Sequence, residues 1–378
     1  MNFAFTEDQR FIRDQARSFL DERATFDVLR KVVENDSGWS QPLWDAVGGE
    51  LGWCGIAIPE EFGGSGLGQV ELAILLEETG RTLLPAPFFT TVALAVPAIL
   101  AAGSADQKAA LLPDIATGAT RASFACGAAP AADGIAATLS KQGGGFVLSG
   151  EAAYVPHGHA ADLLLIPARA PGSAGGNGIS LVALPAGHPG VAIEKLTSLD
   201  LTRPLSRIRF ENVALGAEQV LGPAGGAGAA LARTLDIGAA LLAAEQVGGA
   251  ERCLEFTTEY AKQRVQFGRL IGSFQAVKHR LADMMVVVEA AKSAAYYAAC
   301  AIDEAPEELP EAVAVARSYC SDAFSKCAAD AIQLHGGIGF TWEHHAHLYF
   351  KRARASATLL GAPSHHRETL AQLIGLDG

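Results

Sequence analysis

Two short runs carry residues whose types and spacing suit the binding of a large anionic cofactor. Residues 331–340 read Ala-Ile-Gln-Leu-His-Gly-Gly-Ile-Gly-Phe, placing the Gln333 amide ahead of the pair Gly336 and Gly337. Glycine lets a backbone approach a ligand closely and adopt positive φ, which aims free N–H groups at a phosphate or a ring edge. Residues 260–275 read Tyr-Ala-Lys-Gln-Arg-Val-Gln-Phe-Gly-Arg-Leu-Ile-Gly-Ser-Phe-Gln. Here Arg264 offers a planar fork for a phosphate, Phe267 a flat surface and Gln275 an amide. Each residue alone has a plainer reading: Arg264 as a surface arginine, Phe267 as bundle core, Gly336 as a helix C-cap. Six concurring residues in two ordered blocks favour binding.

The elements that must position these runs are legible in texture. From the start to about residue 118, apolar residues recur at helical spacing (Phe11, Ile12, Ala16, Phe19, Leu20) behind a Thr6-Glu-Asp-Gln helix start. Residues 119–222 switch to short β-type runs around Phe146, Leu163, Ile179, Val191 and Arg207, separated by Gly, Pro and Asn. The Gly-rich stretch 171–178 predicts a hairpin tip, and 222–228 a connection to the last domain. Residues 223–378 return to long helical periodicity, so a small β domain stands between two helical ones in an α+β multidomain chain.

Composition excludes several classes. The net charge of −12 gives a nucleic-acid role no electrostatic support, and an anionic coenzyme A ester would need a local basic patch. No uninterrupted apolar stretch nears the roughly 20 residues of a membrane span, and the first residues lack a signal-peptide layout, which places the chain in the cytoplasm. The six cysteines show neither C-x-x-C pairing nor metal-ligand rhythm. Cys253, Cys320 and Cys327 read as small buried apolar residues.

Taken together, the two blocks resemble the flavin-binding half of the acyl-CoA dehydrogenase family. The resemblance extends over the chain, through 51–66 (Leu-Gly-Trp-Cys-Gly-Ile-Ala-Ile-Pro-Glu-Glu-Phe-Gly-Gly-Ser-Gly), 103–108 and 111–118. The tail at 341–353, Thr-Trp-Glu-His-His-Ala-His-Leu-Tyr-Phe-Lys-Arg-Ala, is similar to the actinobacterial branch acting on steroid side chains. The resemblance implies an N-terminal helical domain, a central β-barrel, a C-terminal four-helix bundle, and a dimer or dimer of dimers. It also implies FAD, an acyl-CoA substrate and an electron-transfer acceptor protein. In this family one subunit holds the flavin ring and its neighbour contributes adenine and pyrophosphate contacts. Arg264, Phe267, Gln275, Gln333, Gly336 and Gly337 match the neighbour's set.

The ring-holding half departs from the pattern. Gly127 stands where the family's flavin loop has threonine, and Tyr154-Val-Pro156 stands for Trp-Ile-Thr/Ser. Proline has neither a hydroxyl nor an N–H, so Pro156 loses both polar contacts, while Tyr154 keeps a ring to stack. The catalytic glutamate is absent from both family positions, occupied here by Leu360 and Gly238. Glu245 is the acid left to weigh as a displaced base, two turns and about 10 Å beyond Gly238. His365 and His366 read as exposed polar residues opening the last helix. Losing what serves its own flavin while keeping what serves a neighbour's points to a base-lacking partner of a catalytic sister in a heterotetramer. The alternatives are an autonomous homo-oligomer with a relocated base, a flavin-dependent oxygenase or oxidase on the same fold, and a helical protein without ligand.

Overall fold

The structure is a computed structural model that describes residues 5–126 and 132–376. Helices α1 (Glu7–Arg23), α2 (Phe26–Glu34), α3 (Gln41–Asp45) and α4 (Gln69–Thr82) come first. They are followed by α5 (Phe88–Thr90), α6 (Val96–Ala102) and α7 (Ala105–Ala116). Strands β1 (Ala122–Phe124), β2 (Thr138–Gln142), β3 (Gly145–Pro156), β4 (Leu163–Arg169), β5 (Ile179–Pro185), β6 (Val191–Lys195), β7 (Leu205–Leu215) and β8 (Val220–Leu221) form the middle. Helix α8 (Gly228–Gln263) leads through the small strands β9 (Val265–Gln266) and β10 (Arg269–Leu270) to α9 (Gln275–Glu304). Helices α10 (Leu309–His335), α11 (Ala346–Thr358) and α12 (Pro363–Leu373) complete the chain.

By contacts the chain forms two units, one of residues 1–34, 69–84 and 239–378, the other of 35–68 and 85–238. In the second unit the strands make one eight-stranded sheet, ordered β6-β7-β3-β2-β4-β5-β8, with β1 pairing parallel to β4. The hydrogen-bonded path is open, with β6 and β8 at its ends. The sheet nevertheless folds over a single core, since Leu148 and Ile208 from one half and Ile166 and Val182 from the other share one apolar cluster. The β4–β5 ladder is antiparallel, so residues 170–178 are the expected hairpin tip.

The first unit is helical. Helix α1 starts where the sequence places it: Thr6 Oγ1 accepts from Gln9 N (3.1 Å), and Gln9 Oε1 accepts from Thr6 N (3.0 Å), a reciprocal capping box. Helix α9 is long and apolar enough, by composition alone, to cross a bilayer. Its Met284, Val288, Ala291 and Ala295 are buried in the unit, as in the core helix of a bundle. All six cysteines are buried thiols, which fits their apolar surroundings.

Two polar systems sit inside this apolar unit. Arg81 forks onto Glu255 at 2.7 and 2.8 Å and also reaches Glu251 at 3.1 Å, while Arg17 forks onto Glu78 at 2.9 and 2.7 Å. Bidentate guanidinium–carboxylate pairs of this kind are the strong form of the interaction. Nearby, His345 stacks on Phe26 with ring centres 3.5 Å apart, and His335 lies 4.3 Å from Tyr260 and 4.2 Å from His344. Burial, with Arg30 close by, pushes His345 down to about 3. Burial with neighbouring cations also takes His344 and His347 to about 4.

These depressed values set an acid dependence. In the unfolded chain imidazole takes a proton near pH 6.5, but the folded chain keeps these rings neutral until about pH 4. Between those values the unfolded state binds more protons, so their contribution is full above pH 6.5 and is lost as pH falls. His345→Phe keeps a ring on Phe26 and removes one titration. Thermal melts at pH 7 and pH 5 should therefore show a smaller acid-side drop in Tm for the variant than for the wild type; an equal drop counts against this origin.

Candidate functional site

The cofactor-type residues fall on the ends of three helices. Helix α8 stops at Gln263, and the chain turns back through β9 and β10, paired Gln266 to Arg269. The two residues between them, Phe267 (φ 54°) and Gly268 (φ 75°), both lie in the left-handed region. A two-residue hairpin of this kind requires positive φ twice, natural for Gly268 and strained for Phe267. The ring is 91% exposed, which overturns its reading as bundle core: the hairpin tip carries it away from the apolar stripe of α8. Backbone strain that places a large apolar ring in solvent points to a ligand or partner surface.

Helix α10 ends at His335, and Gly336 (φ 64°) caps it, its N–H donating to Gln333 O and Ile332 O. The plain reading of Gly336 as a C-cap is correct, and it coexists with openness. A Cβ built on Gly336 or on Gly337 would meet nothing within 4 Å, so both glycines face free space. Helix α9 begins at Gln275, and no side chain caps it, which leaves its first N–H groups and its positive dipole end for an anion.

The structure brings the two blocks side by side. Tyr260, one turn before Arg264, stacks on His335, next to Gly336, and its hydroxyl lies 3.4 Å from His335 O. Arg264, Gln275 and Gln333 are exposed. A guanidinium, a helix N-terminus, an open glycine pair and a bare aromatic ring thus stand exposed at helix ends linked through Tyr260 and His335, a candidate cradle whose group types suit a dinucleotide's phosphates and rings.

The positions of the family base tell a different story. Leu360 is buried, with φ 56°, and is followed by Gly361 at φ 101°. The turn around it is clamped from beneath by Arg317, a guanidinium with no exposure. Arg317 donates to Gln246 Oε1 (2.6 Å), Ser356 O (3.1 Å), Leu359 O (2.8 Å) and Gly361 O (3.3 Å). His366 adds a ring-nitrogen contact to Leu360 O at 3.0 Å. His365 is exposed as expected, but His366 is buried, and burial beside Arg317 takes it down to about 4. The sequence does not show this burial, because it arises from the turn folding back over α12. Arg317 itself went unread; its signal is a cation on the apolar stripe of α10, at helical spacing from Val313, Cys320 and Phe324.

Gly238 is buried within α8 and brings no functional group. Two residues earlier, Asp236 is a carboxyl that sequence reasoning passed over. Burial raises it to about 6 against the pull of Arg233. Glu245 lies further along the same helix, buried, with Oε1 accepting from Arg352 Nη1 at 2.8 Å. A carboxylate engaged by a buried guanidinium is a structural group of the bundle.

On the flavin-loop side, Gly127 lies outside the described residues. Tyr154 sits at a bulge of β3 with φ 60° and is half exposed. The Pro156 carbonyl accepts from Ser123 Oγ at 2.8 Å. In the same unit Asp200 Oδ1 accepts from Thr202 N (2.9 Å) and Thr202 Oγ1 (2.5 Å), and Arg203 lies 4.9 Å over the Phe89 ring, a buried polar knot.

Comparison with known proteins identifies the family. Residues 6–119 match the model of the acyl-CoA dehydrogenase N-terminal domain, and residues 224–375 that of its C-terminal domain. Acyl-CoA dehydrogenase IpdE2 of Mycobacterium tuberculosis is 36% identical over 371 residues, 97% of this chain and 96% of that protein. A variant of the Tcur3481–Tcur3483 steroid ACAD superposes with a TM-score of 0.86 at 32% identity, covering 98% of each chain. The ChsE4–ChsE5 complex of Mycobacterium tuberculosis gives 0.90 at 26% identity, covering 100% of each. The chain belongs to the acyl-CoA dehydrogenase family, whose cofactor is FAD.

Proposed function

We propose that this chain is the base-lacking partner in a heteromeric acyl-CoA dehydrogenase that desaturates a steroid-side-chain CoA thioester. Arg264, Phe267, Gln275, Gln333, Gly336 and Gly337 contribute contacts to an FAD held mainly by a catalytic sister subunit. The observation that carries this reading is Leu360, an aliphatic residue in a turn that is otherwise fully braced. Desaturation requires a base within hydrogen-bond reach of the substrate α-proton, and FAD, when bound, accepts the hydride from the β-carbon. Neither Leu360 nor Gly238 can take a proton, and Glu245 is committed to Arg352.

The cradle fits the group it is assigned to hold. Its glycines leave room that a Cβ would fill, its arginine is exposed and bonded to no side chain among the described residues, and its helix start has no side-chain cap. Two relatives support the assembly: one is solved as the ChsE4–ChsE5 complex, another as the Tcur3481–Tcur3483 steroid ACAD. An electron-transfer protein would reoxidise the reduced flavin, as the resemblance implies.

Flavin content separates this reading from an autonomous enzyme. Purified alone, the chain should hold little FAD and turn over no acyl-CoA; coexpressed with its sister, the complex should hold about one FAD per two chains. A yellow, fully occupied and active lone protein would sink the proposal. Arg264→Ala in the complex should weaken FAD retention about tenfold or more, the value of a lost charged hydrogen bond, with the lone chain's Tm unchanged. Glu245→Ala should cost on the order of 3 kcal/mol in stability by stranding Arg352, measured by denaturant unfolding. At a temperature where the complex stays folded its turnover should persist; lost turnover in a folded complex would make Glu245 a base.

A further inference from the structure

Helix α2 and the start of α11 bring together cations that no carboxylate neutralises. Phe26, the first residue of α2, stacks on His345 with ring centres 3.5 Å apart. Arg30 follows Phe26 by four residues, so it lies on the same face of α2. Lys351 stands in the same relation to His347 on α11. Its ammonium lies 5.0 Å over the Trp342 ring, which meets the His347 ring edge-on at 4.7 Å. Arg30 and Lys351 are half-buried, and neither makes a hydrogen bond or salt bridge among the described residues.

His347 is 7% exposed and also makes no hydrogen bond among the described residues. A buried imidazole without a partner is an unmet polar group, and both Arg30 and Lys351 act on this one. Helix α11 starts here with no side-chain cap, so its positive end adds to the same field. The charges acting on His344, His345 and His347 are Arg30, Arg252, Lys351 and neighbouring imidazoles, with no carboxylate among them. The nearby acids of α8 are engaged, Glu255 by Arg81 and Arg252, and Glu259 by Lys262. Asp27, Glu34 and Glu343 are exposed, and none pairs with Arg30 or Lys351.

We propose that Arg30, His347 and Lys351 form a binding site for a tetrahedral oxyanion carrying two charges, a phosphate-type group. Arg30 supplies a planar fork and Lys351 a point charge, while His347 supplies an N–H and takes up a proton as the anion enters. The group is either free phosphate or the terminal phosphate of an ester, which present the same charged oxygens. Without the anion His347 stays neutral down to about pH 4, and a bound anion favours its charged form. The complex therefore binds more protons than the free chain, and affinity rises as pH falls. This site shares no residue with the cradle, so it stands or falls apart from the flavin reading.

The test is calorimetric titration of the full chain with sodium sulfate, whose charge is constant over the range used, against sodium chloride at matched ionic strength. A dissociation constant of about a millimolar is expected at about pH 7.5. It should tighten about fourfold by about pH 6, the gain from restoring one imidazole to its ordinary value near 6.5. Arg30→Gln and Lys351→Gln should each weaken binding about tenfold, the worth of a hydrogen bond to a charged group. Arg264→Ala should leave it unchanged, which separates this site from the cradle. His347→Phe keeps a ring on Trp342 and should remove the tightening at low pH. Inorganic phosphate and methyl phosphate, compared at one pH, identify the source: the tighter of the two is the form the site takes. Should a variant not fold, the pH dependence of the wild-type chain decides. No saturation beyond the chloride control overturns the proposal. So does sulfate affinity that survives both Arg30→Gln and Lys351→Gln, or that tightens equally at low pH in His347→Phe.

Discussion

Helix α8 runs through the helical unit at backbone contact with α4, and that contact depends on missing side chains. A Cβ on Gly248 would lie 1.8 Å from Glu77 O, and one on Gly80 would lie 2.1 Å from Glu245 O. The two helices thus touch through reciprocal glycines. One residue on, a Cβ on Gly249 would strike the Phe324 ring of α10 at 2.4 Å. Close approach fixes which side chains become neighbours. Arg81 follows Gly80 and meets Glu251 and Glu255, one and two turns past the crossing. Glu77 and Glu245 both contribute carbonyls to the contact while their carboxylates diverge, one to a small crevice lined also by Arg13, Ile74 and Lys292 and one to Arg352. The buried ion network, the crevice and the engagement of Glu245 all descend from one crossing.

The Leu360 turn separates scaffold from chemistry. Arg317 grips two carbonyls of the turn, one of the last turn of α11 and the Gln246 amide, and His366 contacts a further carbonyl, that of Leu360. Every one of these contacts is to backbone or to a residue other than 360. The turn therefore holds its left-handed geometry with a leucine as its occupant, although a non-glycine residue there costs on the order of 1–3 kcal/mol. The bracing of the turn does not depend on the side chain that Leu360 carries.

Much of this was legible in the chain, for stated physical reasons. The Thr6 capping box is a local hydrogen-bond pattern and survives folding intact. The strands around Phe146, Leu163, Ile179 and Arg207 announce themselves through β-branched or leucine-rich runs between turn residues. Strands β1 and β2 do not: Ala-Ser-Phe is too short for a periodicity, and Thr-Leu-Ser-Lys-Gln is mostly polar. Their place is set by pairing with β4 and β3, which is a long-range effect. The same limit hid His366, buried by a returning turn; it did not hide Phe267, whose core alternative fails because the chain reverses at that residue and carries its ring off the helical stripe. The openness of the glycine pair in the run at 331–340 was readable, because residues without side chains leave space beside the backbone. That Tyr260 and His335 would lay the second block beside it was not, since sequence spacing alone cannot set two helix ends together.

The independence of the Arg317 clamp from the side chain at 360 has a consequence for how such a protein can diverge. Where a catalytic group is also a structural strut, its loss is purged by misfolding before any new role can emerge. Here the strut lies elsewhere, so a copy of the gene could exchange an acid for a leucine and still yield a folded subunit. Retention of such a copy would then rest on what its surface offers to others, and mutational tolerance at one turn becomes a route from a self-sufficient enzyme to an obligate companion.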